Sequence, residues 1–285
     1  MHRNNISFAF AFAAALALLA CGCDRPGPLS PQPGGKPLMT ISPDRASVAE
    51  AAAGEQCIEG QAGPGALYSL CRPARWNGDL VVWVHGYTPA CAPVSLPAIG
   101  PLRDALLAQG FGVAYSSFSE NGYAVAEAVR QTHQLSGLFK DQLGTPQRTF
   151  LIGVSLGGII GLELIETYAH EYAGALLVSG VVGGTRSEVQ YIGDTRVLFD
   201  CVFPDVLPGS LFDTPPCGTP FPTGPVVTAI QSNPPGLGAL LCMNPRLPGA
   251  NATEAVTSVV TALNFAWIGA EDLYSRALPL RDRRV

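Results

Sequence analysis

The chain has 285 residues, of which 47% are hydrophobic and 14% charged. That balance fits one sizeable packed core and excludes a disordered chain. The net charge is −5, and no basic cluster exceeds the terminal Arg281, Arg283 and Arg284. The electrostatic footprint of a nucleic-acid binder is therefore absent.

The chain opens with His2 and Arg3 and then runs almost without polarity from Ile6 to Ala20, ending at Cys21. This is the layout of an export signal over residues 1–21, too short for a spanning helix. Leu18-Leu19-Ala20-Cys21 resembles a bacterial lipobox, which implies lipidation of Cys21 and a membrane-anchored lipoprotein; simple secretion is the alternative. By resemblance to sorted lipoproteins, Gly22 in place of an aspartate points to the outer membrane in a host that has two. Residues 22–45, densest in proline and glycine from Cys23 to Pro37, read as a flexible tether.

A folded core is expected over 46–185. Eight cysteines in an exported chain imply disulfides, because the compartment outside the inner membrane is oxidising. Cys57 and Cys71 bracket a glycine-rich turn between two short apolar segments and are the expected bridge. Cys91, Cys201, Cys217 and Cys242 allow three connectivities, and Cys201 with Cys217 or Cys242 would pin the region after Gly184. The spacings rule out common zinc patterns, and no metal or organic cofactor is implied.

Ala66 to Leu70 is predicted as a short strand and Leu80 to Val84 as a fully buried one, leading into His85-Gly86-Tyr87. A helix follows over Leu102 to Ala108, then a strand at Val113 to Ser116 and a long helix from Tyr123 to Leu143, stopped by Gly144. Arg148 to Val154 reads as a buried parallel strand. It runs into Gly153-Val154-Ser155-Leu156-Gly157-Gly158, after which Ile159, Ile160, Leu162, Leu164 and Ile165 supply the apolar face of a helix. Ser155 then sits on a strand-to-helix turn, with Gly153 and Gly157 placed where a β-carbon would collide with the neighbouring strand or helix. Ala173 to Ser179 is one more apolar strand. The alternation predicts an α/β fold with a doubly wound, mostly parallel sheet.

Residues 186–276 hold eleven prolines and two modest helical stretches, one of them Ala255 to Trp267, and read as a cap after the sixth strand. Phe199, Phe203, Leu211, Phe212, Phe221, Leu241, Phe265 and Trp267 either line an apolar pocket there or form the region's own core. Asn251-Ala252-Thr253 matches a glycosylation acceptor, read as incidental.

Trp76-Asn77-Gly78-Asp79-Leu80, His85-Gly86-Tyr87, Ser119-Glu120-Asn121-Gly122-Tyr123 and Gly153 to Gly158 together resemble the α/β-hydrolase family, in particular its bacterial secreted esterase and depolymerase-type members. The resemblance covers roughly residues 56–276. It implies Ser155 as nucleophile and the backbone N–H groups of Leu156 and Tyr87 as the oxyanion hole. His85 and Gly86 shape that loop. It further implies hydrolysis of carboxylic esters, small or polymeric, through an acyl-enzyme.

The family's acid and histidine follow later strands, and neither strand is recognisable in this chain. Histidines stand only at positions 2, 85, 133 and 170. His170 follows the nucleophile helix, about 18 Å from the turn for a helix of a dozen residues. The catalytic acid and histidine are therefore unassigned, with Asp194, Asp200, Asp205, Asp213 and Asp272 expected as solvated surface charges. The tail 277–285 departs from the preceding pattern, and the expectation is a truncated or frame-changed end with an incomplete sheet and weak solubility or activity. Two other readings stand beside the esterase: a non-catalytic hydrolase-fold lipoprotein acting as a binding or surface module, and a prolyl-oligopeptidase-like peptidase.

Overall fold

The computed structural model describes residues 54–213 and 215–277; the signal segment with Cys21, the tether 22–45 and the tail from 278 lie outside the described residues. Contacts divide the chain into two compact units, one ending at Thr185 and the other beginning at Arg186.

The first unit is built on a six-stranded sheet of order β1-β2-β4-β3-β5-β6. β1 (Gln56–Ala62) and β2 (Ala66–Arg72) form an antiparallel hairpin. Its facing residues Cys57 and Cys71 are joined by a disulfide. β2 pairs antiparallel with β4 (Gly112–Ser116), while β3 (Asp79–Val84), β4, β5 (Arg148–Val154) and β6 (Gly174–Val178) are parallel neighbours. The α/β fold with a mostly parallel sheet is thus as the sequence predicts. β1 was legible only as an apolar segment because it is an edge strand whose residues remain largely exposed.

Three helices connect the parallel strands: α1 (Pro101–Ala108), α2 (Val125–Leu143) and α3 (Leu156–Thr167). Leu107 of α1 packs with Val113 and Tyr115 of β4. On the opposite face of the same strand, a β-carbon on Gly112 would meet the Phe139 ring of α2. α3 packs beside α2. This division follows from the chain's path, because right-handed crossovers that first step from β3 to β4 and then reverse to β5 and β6 must place their helices on opposite faces. The reversal falls between β3 and β5, and open α/β sheets bind ligands beyond the carboxyl ends of their strands at such a point. α2 owes its position to Ala128, Thr132, Leu135, Phe139 and Leu143, a buried stripe at helical spacing. At the other end of β3 and β5, Arg148 donates through Nε and Nη2 to the buried Asp79 carboxylate, at 2.9 and 2.5 Å. β6 is an edge, with Leu176 and Val178 exposed. Beside it, Val81, Leu106, Phe111, Phe150 and Ile152 line an apolar groove of about 420 Å³.

The second unit contains α4 (Thr185–Val202, its first residue in the sheet unit), α5 (Thr223–Ser232), α6 (Pro234–Met243) and α7 (Ala252–Ala277). Among the described residues four helices stand where the sequence suggested two, and one of them, α6, carries Pro234 and Pro235 in its first turn. A proline's missing N–H has no intrahelical partner to lose at that position. The Asn233 side chain accepts from Gly236 N to cap this helix. Phe199, Phe203, Leu241 and Trp267 are buried in the unit's own core, with Phe221 packed against it. Leu211 is buried and Phe212 is exposed. Cys201 is a free thiol, whereas Cys91, Cys217 and Cys242 are each in a disulfide. Of the connectivities that the sequence left open, those joining Cys201 to another cysteine are not made: Cys201 lies exposed on the last turn of α4 as a free thiol. Among the described residues, no helix is long and apolar enough to cross a membrane.

Candidate active site

Ser155 joins β5 to α3 with φ 54° and ψ −117°, a left-handed conformation that costs a non-glycine residue of order 1–3 kcal/mol. Such a residue persists only when its surroundings over-determine it. Here Ser155 N donates to Val178 O at 3.0 Å, and Ser155 O accepts from Gly158 N at 2.8 Å and Val181 N at 3.2 Å. The end of β6 and the segment after it therefore clamp the turn, a contribution that the sequence pattern did not reveal.

The glycines admit this geometry by close approach. A β-carbon on Gly153 would lie 2.2 Å from Gly157 O, and one on Gly158 would lie 2.3 Å from the Gly180 Cα. On Gly86 it would lie 3.2 Å from Ser155 Cβ and 3.7 Å from Ser155 Oγ. The loop after β3 and the serine turn after β5 are thus in direct contact at the carboxyl end of the sheet. Leu156 is the first residue of α3, so its N–H has no acceptor one turn back and the helix dipole favours an anion beside it. Tyr87, partly exposed, follows Gly86 in the opposing loop.

His85 is buried under this loop. Its Nδ1 is 2.7 Å from Gly86 O, and its ring stacks on Phe118 with centroids 4.0 Å apart. Nε2 is buried without a hydrogen-bond partner. Burial holds the imidazole below its ordinary pKa of 6.5, against the opposite pull of the hydrogen bond with the Gly86 carbonyl. The ring is therefore neutral at neutral pH, suited to shaping the loop.

His133 stacks on Tyr168, with centroids 3.8 Å apart, and has Glu171 Oε2 3.8 Å from its Nδ1. Tyr168 caps the far end of α3, about 18 Å from Ser155 by helix rise. His170 lies exposed in the turn just beyond it. In the helical unit, Asp200 is held by Arg196 at 2.8 Å, Asp194 lies 3.4 Å from Arg246, and Asp213 accepts from Ser210 N at 2.7 Å. These three carboxylates have local structural partners. Among the described residues, Glu55, Cys57 and Cys71 are close enough together to suggest a metal site, but the two sulfurs are bonded to each other.

No protein-family model matches this chain, and no curated protein matches it in sequence. Solved structures similar to it include an esterase from Pyrococcus furiosus, with 15% identity over 53% of this chain and 58% of that one, TM-score 0.39. A highly thermostable carboxyl esterase from Bacillus coagulans has 16% identity over 73% of this chain and 77% of that one, TM-score 0.37. An esterase from Aspergillus oryzae has 15% identity over 55% of this chain and 32% of that one, TM-score 0.38. The chain spans less than two thirds of the length of the Pyrococcus enzyme that it matches.

Proposed function

We propose that this chain is a serine hydrolase acting on carboxylic esters, with Ser155 as nucleophile. The observation that supports it most is the strained Ser155 conformation, clamped between β6 and α3 and facing the His85-Gly86-Tyr87 loop. In this reading Ser155 Oγ bonds to the ester carbonyl carbon. The carbonyl electron pair moves onto oxygen, where the Leu156 and Tyr87 N–H groups hold the developing charge. The carbon–oxygen bond to the alcohol then breaks, the alcohol takes up a proton, and an acyl-serine remains for water to hydrolyse. The Oγ proton passes to solvent in this scheme, because His133 and His170 are placed at the far end of α3.

A second reading, a binding module on a hydrolase fold, is favoured by that same distance of His133 and His170 from Ser155. Hydrolysis of 4-nitrophenyl acetate by wild type and Ser155→Ala separates the two: equal rates point to the binding module. We also propose export with a lipid on Cys21. The Cys57–Cys71 disulfide supports an oxidising compartment. Incorporation of labelled palmitate into the wild type and not into Cys21→Ser is the expected result.

A further inference from the structure

The loop proposed to present the Tyr87 N–H is held from outside by two buried amide side chains that no step of the reaction uses. Gln131, on α2 and 4% exposed, grips Ser119 at both ends of its amide. Its Oε1 accepts from Ser119 N and its Nε2 donates to Ser119 Oγ, both at 2.7 Å. Ser119 lies in the loop after β4. Two residues on, Asn121 is 7% exposed and donates from Nδ2 to Ala92 O at 2.7 Å, while Gly122 N donates to Thr88 O at 2.8 Å. The same loop begins at Phe118, whose φ of 57° turns its ring onto His85. The loops after β3 and β4 are thus cross-linked by hydrogen bonds on both sides of Pro89, and the link is anchored to α2.

A buried amide is retained at a cost unless its hydrogen bonds are made, and an amide can satisfy a carbonyl acceptor in a loop that has no strand partner. A shift of a fraction of an ångström in residues 87–92 would move the Tyr87 N–H relative to Ser155, and donors of this kind act only when preorganised. We propose that Asn121 is a positioning residue for the oxyanion loop, set in place by Gln131 through Ser119. This rests on the reading of Ser155 as nucleophile and Tyr87 as oxyanion donor.

The test uses the full chain as Asn121→Ala, as Gln131→Met and as the double variant. It measures native-state amide exchange at Ala92 and Gly122 together with the kinetics of 4-nitrophenyl acetate hydrolysis. In each single variant, exchange at these two amides accelerates while that of Leu151 and Ile152 in β5 stays unchanged. At the same time kcat falls about ten- to hundredfold with KM altered by less than about twofold. The double variant falls no further than the worse single, because both act through one link. Unchanged exchange at Ala92 and Gly122 overturns the proposal, as does faster exchange with kcat intact or a double variant whose losses multiply. If the wild type does not hydrolyse the ester through Ser155, the hydrolytic reading fails by itself. Exchange at Ala92 and Gly122 then still decides whether Asn121 and Gln131 hold the loop.

Discussion

A β-carbon on Gly157 would lie 2.1 Å from the carbonyl oxygen of Val84, so the first turn of α3 touches the end of β3 backbone to backbone. This contact sets the distance between the serine turn and the His85-Gly86 loop. Gly157→Ala would also bring the new carbon 2.8 Å from His85 O, and neither neighbour is a side chain that can rotate away. The variant should lose at least about 2 kcal/mol of stability in urea denaturation. Gly137 provides the contrast, since it lies exposed inside α2 with nothing within 4 Å of its virtual β-carbon. Gly137→Ala should gain about 0.5–1 kcal/mol through helix propensity.

Cys57 and Cys71 close a short hairpin at the edge of the sheet, with a sequence separation of 14. A loop of this length is constrained by a disulfide to the extent of about 3 kcal/mol on the chain-entropy account. The Cys57→Ala/Cys71→Ala double variant should unfold at correspondingly lower urea than the wild type, both measured without reductant so that the disulfides of Cys91, Cys217 and Cys242 stay intact in each. Equal midpoints for the two proteins would show that β1 adds nothing through the bridge.

His85 gives the fold a dependence on acid. In the unfolded chain its imidazole takes up a proton near pH 6.5, whereas in the folded chain burial delays protonation to lower pH. The unfolded state therefore binds more protons just below pH 6.5, and stability is whole above that pH. It declines as pH falls from 6.5 toward the lowered folded value, where the loss levels off. Thermal melts between pH 7.5 and 5, about the range of interest for a histidine, should show a falling midpoint. In His85→Gln part of that slope should disappear. Identical slopes in the two proteins would contradict it.

Much of the first unit was legible in the sequence. The unbroken apolar runs of β3 and β5 and the stripe on α2 carry their own burial, and G-x-S-x-G after a strand fixes where the turn must fall. The clamp on Ser155 from Val178 and Val181 was hidden, because it is made entirely by main-chain groups. Asn121 and Gln131 were likewise hidden as a unit: they lie ten residues apart and meet only through Ser119. In the second unit, proline content obscured α5 and α6. The Asn251-Ala252-Thr253 triplet proves to be a helix start, in which Asn251 Oδ1 accepts from Glu254 N at 2.9 Å and Glu254 Oε2 accepts from Ala250 N at 2.6 Å.

The central claim is that Ser155 Oγ is a nucleophile beside main-chain donors able to hold an anion. Reaction of the native protein with a fluorophosphonate, followed by peptide mass spectrometry, tests it most directly, because the phosphonyl oxygen occupies the place of the ester oxyanion. The account predicts an adduct on Ser155 that does not form when the protein is unfolded before the reaction and is absent in Ser155→Ala. A native protein left unlabelled at Ser155, or a Ser155→Ala variant labelled to the same extent, would contradict it.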